Sequence, residues 1–112
     1  MTSEQLSVDR VIEKLPSRFR ADQAQGVTCV YQFILDEHSA FYIDIRDQQC
    51  RVFRERHADP HITLILDSAT FIRVVTGEQD GMSAFLKGQL RAEGNVMLAT
   101  RLGKLFSRER QQ

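Results

Sequence analysis

The chain has 112 residues, and its fifteen Lys and Arg residues balance its fifteen Asp and Glu residues. This length is typical of one domain, and a composition of 42% hydrophobic and 27% charged residues suits a packed core without metal or disulfide staples. Because the charge is balanced, the sequence excludes the strong phosphate attraction of a basic nucleic-acid-binding protein. We therefore expect a single domain over residues 1–112, ordered over about residues 5–106, with no nucleic-acid partner.

The cysteines and the apolar runs bear on the cellular compartment. Cys29 and Cys50 are too few for the disulfide framework of a small secreted domain, and no charged and then apolar leader opens the chain. The longest apolar run is far shorter than the roughly 18 residues that indicate a membrane-spanning helix. Residues 110–112 do not form a peroxisomal signal. These features predict a soluble, cytoplasmic protein with reduced thiols.

The first half of the chain predicts one helix followed by four strands. Apolar residues recur at helical spacing at Val8, Val11, Ile12 and Leu15. Pro16 should end or bend that helix. Alternation of apolar and polar residues predicts strands over 27–35, 40–46, 50–54 and 62–66. Residues 37–39 have the composition of a hairpin turn, and Asp67 or Ser68 should cap the helix that follows the fourth strand.

After residue 70 the apolar spacing becomes helical. A helix is predicted from Phe71 up to Gly77, a short helix over 82–86, a fifth strand over 89–93, and a last helix from Asn95 to Phe106. Four consecutive strands, followed by helices and one further strand, are typical of an α+β fold. The sequence therefore predicts a single five-stranded, mainly antiparallel sheet covered on one face by about four to five helices.

The residues that could act as metal ligands or nucleophiles are explained more simply as loop or core residues. His57 and His61 have a spacing that can bind zinc on a helix, but Pro60 interrupts such a helix and favours a loop. Cys29 falls on the apolar positions of a predicted strand, which is typical of a packed core residue and not of a nucleophile. The assignment of Cys50 stays open. The residues alone thus indicate no catalytic group, metal or cofactor.

A longer pattern runs through the second half of the chain. Residues 59–67 read DPHITLILD, residues 71–77 read FIRVVTG, residues 82–95 read MSAFLKGQLRAEGN, and Leu-rich positions follow up to Phe106. With Leu15-Pro16, Phe19 and residues 41–45, this ordered spacing closely resembles the sterol carrier protein 2 family over most of the chain. The chain departs from the family pattern at Phe41, where Trp is common, at Gly81, where Pro is frequent, and at 96–98, where Gly is frequent. It resembles the stand-alone bacterial members.

This resemblance implies a non-catalytic lipid carrier with an apolar tunnel between the sheet and the helices. The ligand would be a fatty acid, a fatty acyl-CoA, a sterol-like or an isoprenoid amphiphile, and no cofactor or metal is implied. By resemblance the tunnel walls would include Phe71, Ile72, Val75, Met82, Phe85, Leu86, Leu90, Met97, Leu102 and Phe106. Two alternatives stay open: a small enzyme or accessory subunit that acts on a tunnel-bound lipid, and a regulatory or scaffold module with a closed tunnel.

The last predicted helix has two further expected properties. It contains Gly103, which weakens a helix interior, so we expect it to be a movable wall of the tunnel. The C-terminal stretch also carries more bases than acids: one acid, Glu109, occurs among the four bases Arg101, Lys104, Arg108 and Arg110. Such a stretch is either an ordinary solvated helix face or a transient contact with an anionic membrane, to which each basic side chain contributes about 1 kcal/mol at best. The sequence leaves the oligomeric state open.

Overall fold

The computed structural model describes residues 8–35 and 39–106. The helices are α1 (Val8–Arg18), α2 (Ser68–Val75), α3 (Gly81–Leu86) and α4 (Met97–Leu105), with a short 3-10 turn at Ala21–Gln23. The strands are β1 (Cys29–Leu35), β2 (Ser39–Arg46), β3 (Gln49–Phe53), β4 (Ile62–Leu66) and β5 (Leu90–Gly94). The predicted turn residues 37 and 38, and the C-terminal bases Arg108 and Arg110, lie outside the described residues.

The five strands form one sheet in the order β3-β2-β1-β4-β5. The central strand β1 pairs antiparallel with β2 and parallel with β4, and the other two pairs are antiparallel. Buried residues of all four helices belong to one cluster with alternate residues of the sheet. The predicted α+β fold, with a mainly antiparallel five-stranded sheet and helices packed on it, is therefore confirmed.

Three phenylalanine rings form the centre of the core. Phe33 of β1 stacks on Phe41 of β2 with ring centroids 4.8 Å apart. Phe71 of α2 meets both rings edge-on, at 5.5 Å from each. All three side chains are fully buried. This aromatic triad, defined as Phe33, Phe41 and Phe71, attaches α2 to the middle of the sheet.

The ends of α1 and α2 follow the sequence signals closely, whereas α4 begins at Met97, two residues after the predicted Asn95, with Val96 as its N-cap residue. Pro16 lies in the last turn of α1, which ends two residues later at Arg18. Asp67 is the N-cap of α2, as predicted, and its Oδ1 accepts the backbone N–H of Thr70 at 2.8 Å. Hydrogen bonds donated by the backbone and side chain of Thr70 hold the pKa of the Asp67 carboxyl below its ordinary value. Within the described ranges, no helix combines the length and the apolarity needed to cross a bilayer.

Candidate functional site

An apolar pocket of about 110 Å³ lies between α3, β5 and the start of α4. Its lining consists of Gly81, Met82, Phe85, Ala92, Val96, Met97 and Ala99. The cap of α3 orients one wall, because the Asp80 carboxylate accepts the N–H of Ser83 at 3.2 Å and starts the helix there. Three of the lining residues are glycine or alanine, and the space exists because their side chains are small.

The ten residues expected to line a tunnel fall into distinct places. Met82, Phe85 and Met97 come together in the apolar pocket. Five others are buried in the packed core: Phe71, Val75, Leu90, Leu102 and Phe106. Ile72 is half-buried against that core, whereas Leu86 is 75% exposed. The expected tunnel walls did not include Gly81, Ala92, Val96 or Ala99, although small residues between bulky apolar ones are a signal for a cavity.

The size of the pocket limits what it holds. Sites for drug-sized ligands typically occupy about 300–1,000 Å³, and this pocket has about 110 Å³. It accepts the end of an apolar chain, while a longer chain requires a wall to move outward. Phe71 and Leu102, two other residues expected in the tunnel wall, are packed in the core at 0% and 4% exposure.

Helix α4 is fastened to the rest of the protein at both ends. The hydroxyl of Tyr31 in β1 donates to the carbonyl of Leu98 at 2.7 Å. Burial of Tyr31 raises the pKa of its phenol, so it remains a donor at all ordinary pH values. At the other end, the N–H of Arg20 donates to Leu105 O at 2.7 Å, and the Phe106 ring packs on Phe19 at 5.7 Å.

The two cysteines are packed thiols on one face of the sheet. Cys29 of β1 and Cys50 of β3 both pair with Ile45 of β2, which lies between them. Neighbouring strands are about 4.8 Å apart, so the two Cα atoms are roughly 10 Å apart, too far for a disulfide. Burial raises the pKa of Cys29 to about 11 and that of Cys50 to about 12. The predicted core position of Cys29 is confirmed, and Cys50 is half-buried beside it.

We expect a thiol-specific reagent at pH 8 to modify the folded protein about two orders of magnitude more slowly than a free cysteine peptide. The raised pKa values leave little thiolate at that pH. The same shifts favour the folded state while the thiols are neutral. Stability is therefore full below about pH 9, the unfolded value, and declines as the pH rises towards 11. Rapid modification without denaturant would contradict this expectation, and the protein unfolded in urea serves as control.

Both histidines of the predicted loop hold backbone atoms. Nδ1 of His61 accepts the N–H of Val30 at 3.0 Å, and Nδ1 of His57 accepts the N–H of Asp59 at 2.9 Å. The N–H of His57 donates to the side chain of Gln32 at 2.7 Å. Among the described residues, no three His, Cys, Asp or Glu side chains are grouped as metal ligands. The loop between β3 and β4 is thereby fixed along β1.

Comparison with known proteins agrees with this architecture. A sequence model of the SCP-2 sterol transfer family matches residues 8–107. The chain belongs to the SCP-2 sterol transfer family. Among curated SCP-2 relatives, hydroxysteroid dehydrogenase-like protein 2 of Xenopus tropicalis is 28% identical over 100 residues, which are 87% of this chain and 23% of that protein. The chain spans less than a quarter of the length of the curated relatives it matches.

Solved structures share the SCP-2 fold. The sec-alkylsulfatase Pisa1 from Pseudomonas sp. superposes with a TM-score of 0.83 at 14% identity, over 97% of this chain and 18% of that enzyme. Palmitated SCP2L2 from Aedes aegypti gives a TM-score of 0.69 at 21% identity, over 87% of this chain and 91% of that protein. At these identities the likeness establishes the fold.

Proposed function

We propose that this chain is a non-catalytic carrier that binds a lipid by its apolar part, such as a fatty acid, a fatty acyl-CoA, a sterol-like or an isoprenoid amphiphile. The observation that supports this best is the apolar pocket between α3, β5 and α4. Membership in the SCP-2 family and the palmitated relative from Aedes aegypti support the same function. Each CH₂ group that leaves water favours binding by about 0.8 kcal/mol, so even a chain end contributes several kcal/mol.

Helix α3 is the wall best suited to move outward for a longer chain. Of its six residues only Ala84 is fully buried, whereas Met82 and Phe85 are about 40% exposed and Leu86 is more exposed still. Displacing α3 therefore costs little core contact. Helix α4 is fastened through Leu98 and Leu105. We accordingly assign the movable wall to α3 and not to the last helix.

A second candidate is a lipid-presenting unit that works beside an enzyme. The relatives of this chain favour it, because they include a hydroxysteroid dehydrogenase-like protein and peroxisomal multifunctional enzymes, each several times longer than this chain. In that function the pocket holds a lipid for a partner that supplies the catalytic groups.

The compartment is a further part of the proposal. The thiols of Cys29 and Cys50 are free and lie too far apart to form a disulfide. This agrees with a reducing compartment, where disulfides are rare. We therefore infer a cytoplasmic location.

Ala99→Phe should fill the apolar pocket and weaken the binding of a fluorescent fatty acid at least tenfold, which is about 1.4 kcal/mol. Ala69→Phe is the matched control, because Ala69 is an exposed alanine of α2 that lies outside the pocket. Its affinity should equal that of the wild type, and circular dichroism should show that both variants are folded. Equal binding by the two variants would disprove the location of the site. Failure of fatty acids, acyl-CoA, sterols and isoprenoids to displace the probe would disprove lipid binding.

A further inference from the structure

A second concave surface follows the other side of α4. One cavity of about 400 Å³ is lined by Gln23, Met97, Arg101, Lys104 and Leu105. An adjoining cavity of about 250 Å³ is lined by Gly26, Val27, Thr28, Cys29, Asn95, Met97, Leu98 and Arg101. The two cavities share Met97 and Arg101 among their lining residues, and we describe them together as one surface along α4. We call it the basic groove, defined by these lining residues.

The basic groove carries positive charge that its own lining does not neutralise. Arg101 and Lys104 are three residues apart and therefore neighbours on the surface of α4. None of the lining residues is Asp or Glu. The adjacent Asp22 is engaged by Arg20 at 3.5 Å and by the Gln23 amide at 3.3 Å.

Some other arginines of the chain have carboxylate partners. Arg46 pairs with Asp44 at 2.9 Å, and Arg54 pairs with Asp9 at 2.6 Å. Over residues 8–35 and 39–106, Arg101 and Lys104 form no such pair. The balanced total charge of the chain is thus locally unbalanced along this side of α4.

Met97 connects the basic groove with the apolar pocket. It lines the pocket and both cavities of the groove, and its side chain is 67% exposed. Arg101 follows Met97 by four residues, which is about 6 Å along a helix, and Lys104 lies about 10 Å from it. An unbranched chain that leaves the pocket over Met97 therefore reaches Arg101 within about one helical turn.

We propose that the basic groove binds the anionic head group of the same lipid whose chain end occupies the apolar pocket, with Arg101 and Lys104 as the determinants of head-group specificity. This proposal rests on the carrier function proposed above and narrows its ligand to a single-chain amphiphile with a terminal carboxylate, sulfate or phosphate. Two exposed cations hold a small free anion only weakly, so the apolar chain is needed for affinity. The narrow pocket also suits a linear chain better than a fused ring system.

Dodecanoate and dodecanol test the proposal, since they share one chain and differ in head-group charge. Displacement of an uncharged naphthylamine dye from the full chain measures both affinities without bias towards anions. At low salt the wild type should bind dodecanoate about tenfold more tightly than dodecanol, and about 0.5 M salt should reduce that preference. The double variant Arg101→Gln/Lys104→Gln should lose the preference and keep its affinity for dodecanol.

The matched control is Lys14→Gln/Arg51→Gln, which removes two exposed cations of α1 and β3 and should retain the preference. Equal binding of dodecanoate and dodecanol by the wild type, or an unchanged preference in the double variant, would overturn the head-group site and leave the carrier function standing. If neither compound displaces the dye, the carrier function fails as well. Vesicles of phosphatidylglycerol and phosphatidylcholine distinguish a membrane role: if the double variant loses only vesicle binding, the two cations serve a membrane surface and the proposal is wrong.

Discussion

Phe71→Ala is expected to lower the free energy of unfolding by about 3–5 kcal/mol, the usual loss for a fully packed phenylalanine. Phe71 is fully buried, and its ring meets Phe33 and Phe41 at 5.5 Å each. The variant leaves a cavity between α2 and two central strands, where neither side can collapse without bending the sheet. Since small domains have about 5–15 kcal/mol of stability in total, this loss is a large fraction.

Urea denaturation followed by circular dichroism measures this loss. Leu86→Ala is the matched control, because Leu86 is 75% exposed on α3 and its truncation should change stability by less than about 0.5 kcal/mol. A loss below about 1.5 kcal/mol for Phe71→Ala would contradict the packing of the aromatic triad. It would instead indicate that Phe71 borders open space, as a wall residue of a tunnel would.

Gly94→Ala is expected to destabilise the protein by roughly 3 kcal/mol or more. Gly94 has a φ of +109°, which L-residues rarely adopt. A Cβ atom there would lie 2.6 Å from the carbonyl oxygen of His61 and 3.1 Å from the Cα of Ile62. Both are backbone atoms of the neighbouring strand segment, so no side chain can turn away. The end of β5 must separate from β4, and Ala92 and Val96 of the apolar pocket move with it.

Gly88→Ala separates backbone strain from the steric clash. Gly88 has a similar positive φ of +78°, but nothing lies within 4 Å of the position of its added Cβ. The Gly88→Ala variant should therefore lose only about 1–2 kcal/mol of its free energy of unfolding, the conformational cost of the positive φ. Chemical denaturation of both variants measures the difference. Equal losses would show that the approach of His61 to Gly94 contributes nothing to the penalty.

Local patterns account for most of the predicted fold. In residues 40–46 and 62–66 every second residue is apolar and buried, and both segments are strands. Two features are not encoded in such patterns. The turn between β2 and β3 places Asp47 and Gln48 at φ values of 53° and 59°, without the glycine that normally indicates this geometry. The parallel pairing of β1 with β4 depends on contacts between distant segments, and alternation within a strand does not specify its partner.

The site was harder to predict than the fold for a physical reason. Bulky apolar residues are visible in a sequence, but the sequence does not tell which of them border a cavity and which are buried in a packed core, as Phe71 and Phe106 are. The pocket is created by volume that is missing at Gly81, Ala92 and Ala99. Missing volume is harder to recognise in a sequence than bulk, because these three residues lie on three separate elements that come side by side only in the fold.

The parallel pairing of β1 with β4 also has a higher entropy cost for the folding chain than the hairpins do. It joins residues about 30 positions apart, such as Tyr31 and Ile62, and closing that loop costs more entropy than closing either hairpin among β1, β2 and β3. Every wall of the apolar pocket comes from residues 81–99, which join the hairpins through β4. These walls belong to α3, β5 and the start of α4, so partly folded chains with the two hairpins alone have no pocket and gain nothing from a ligand. A ligand present during synthesis therefore stabilises the chain only after residues 81–99 have assembled.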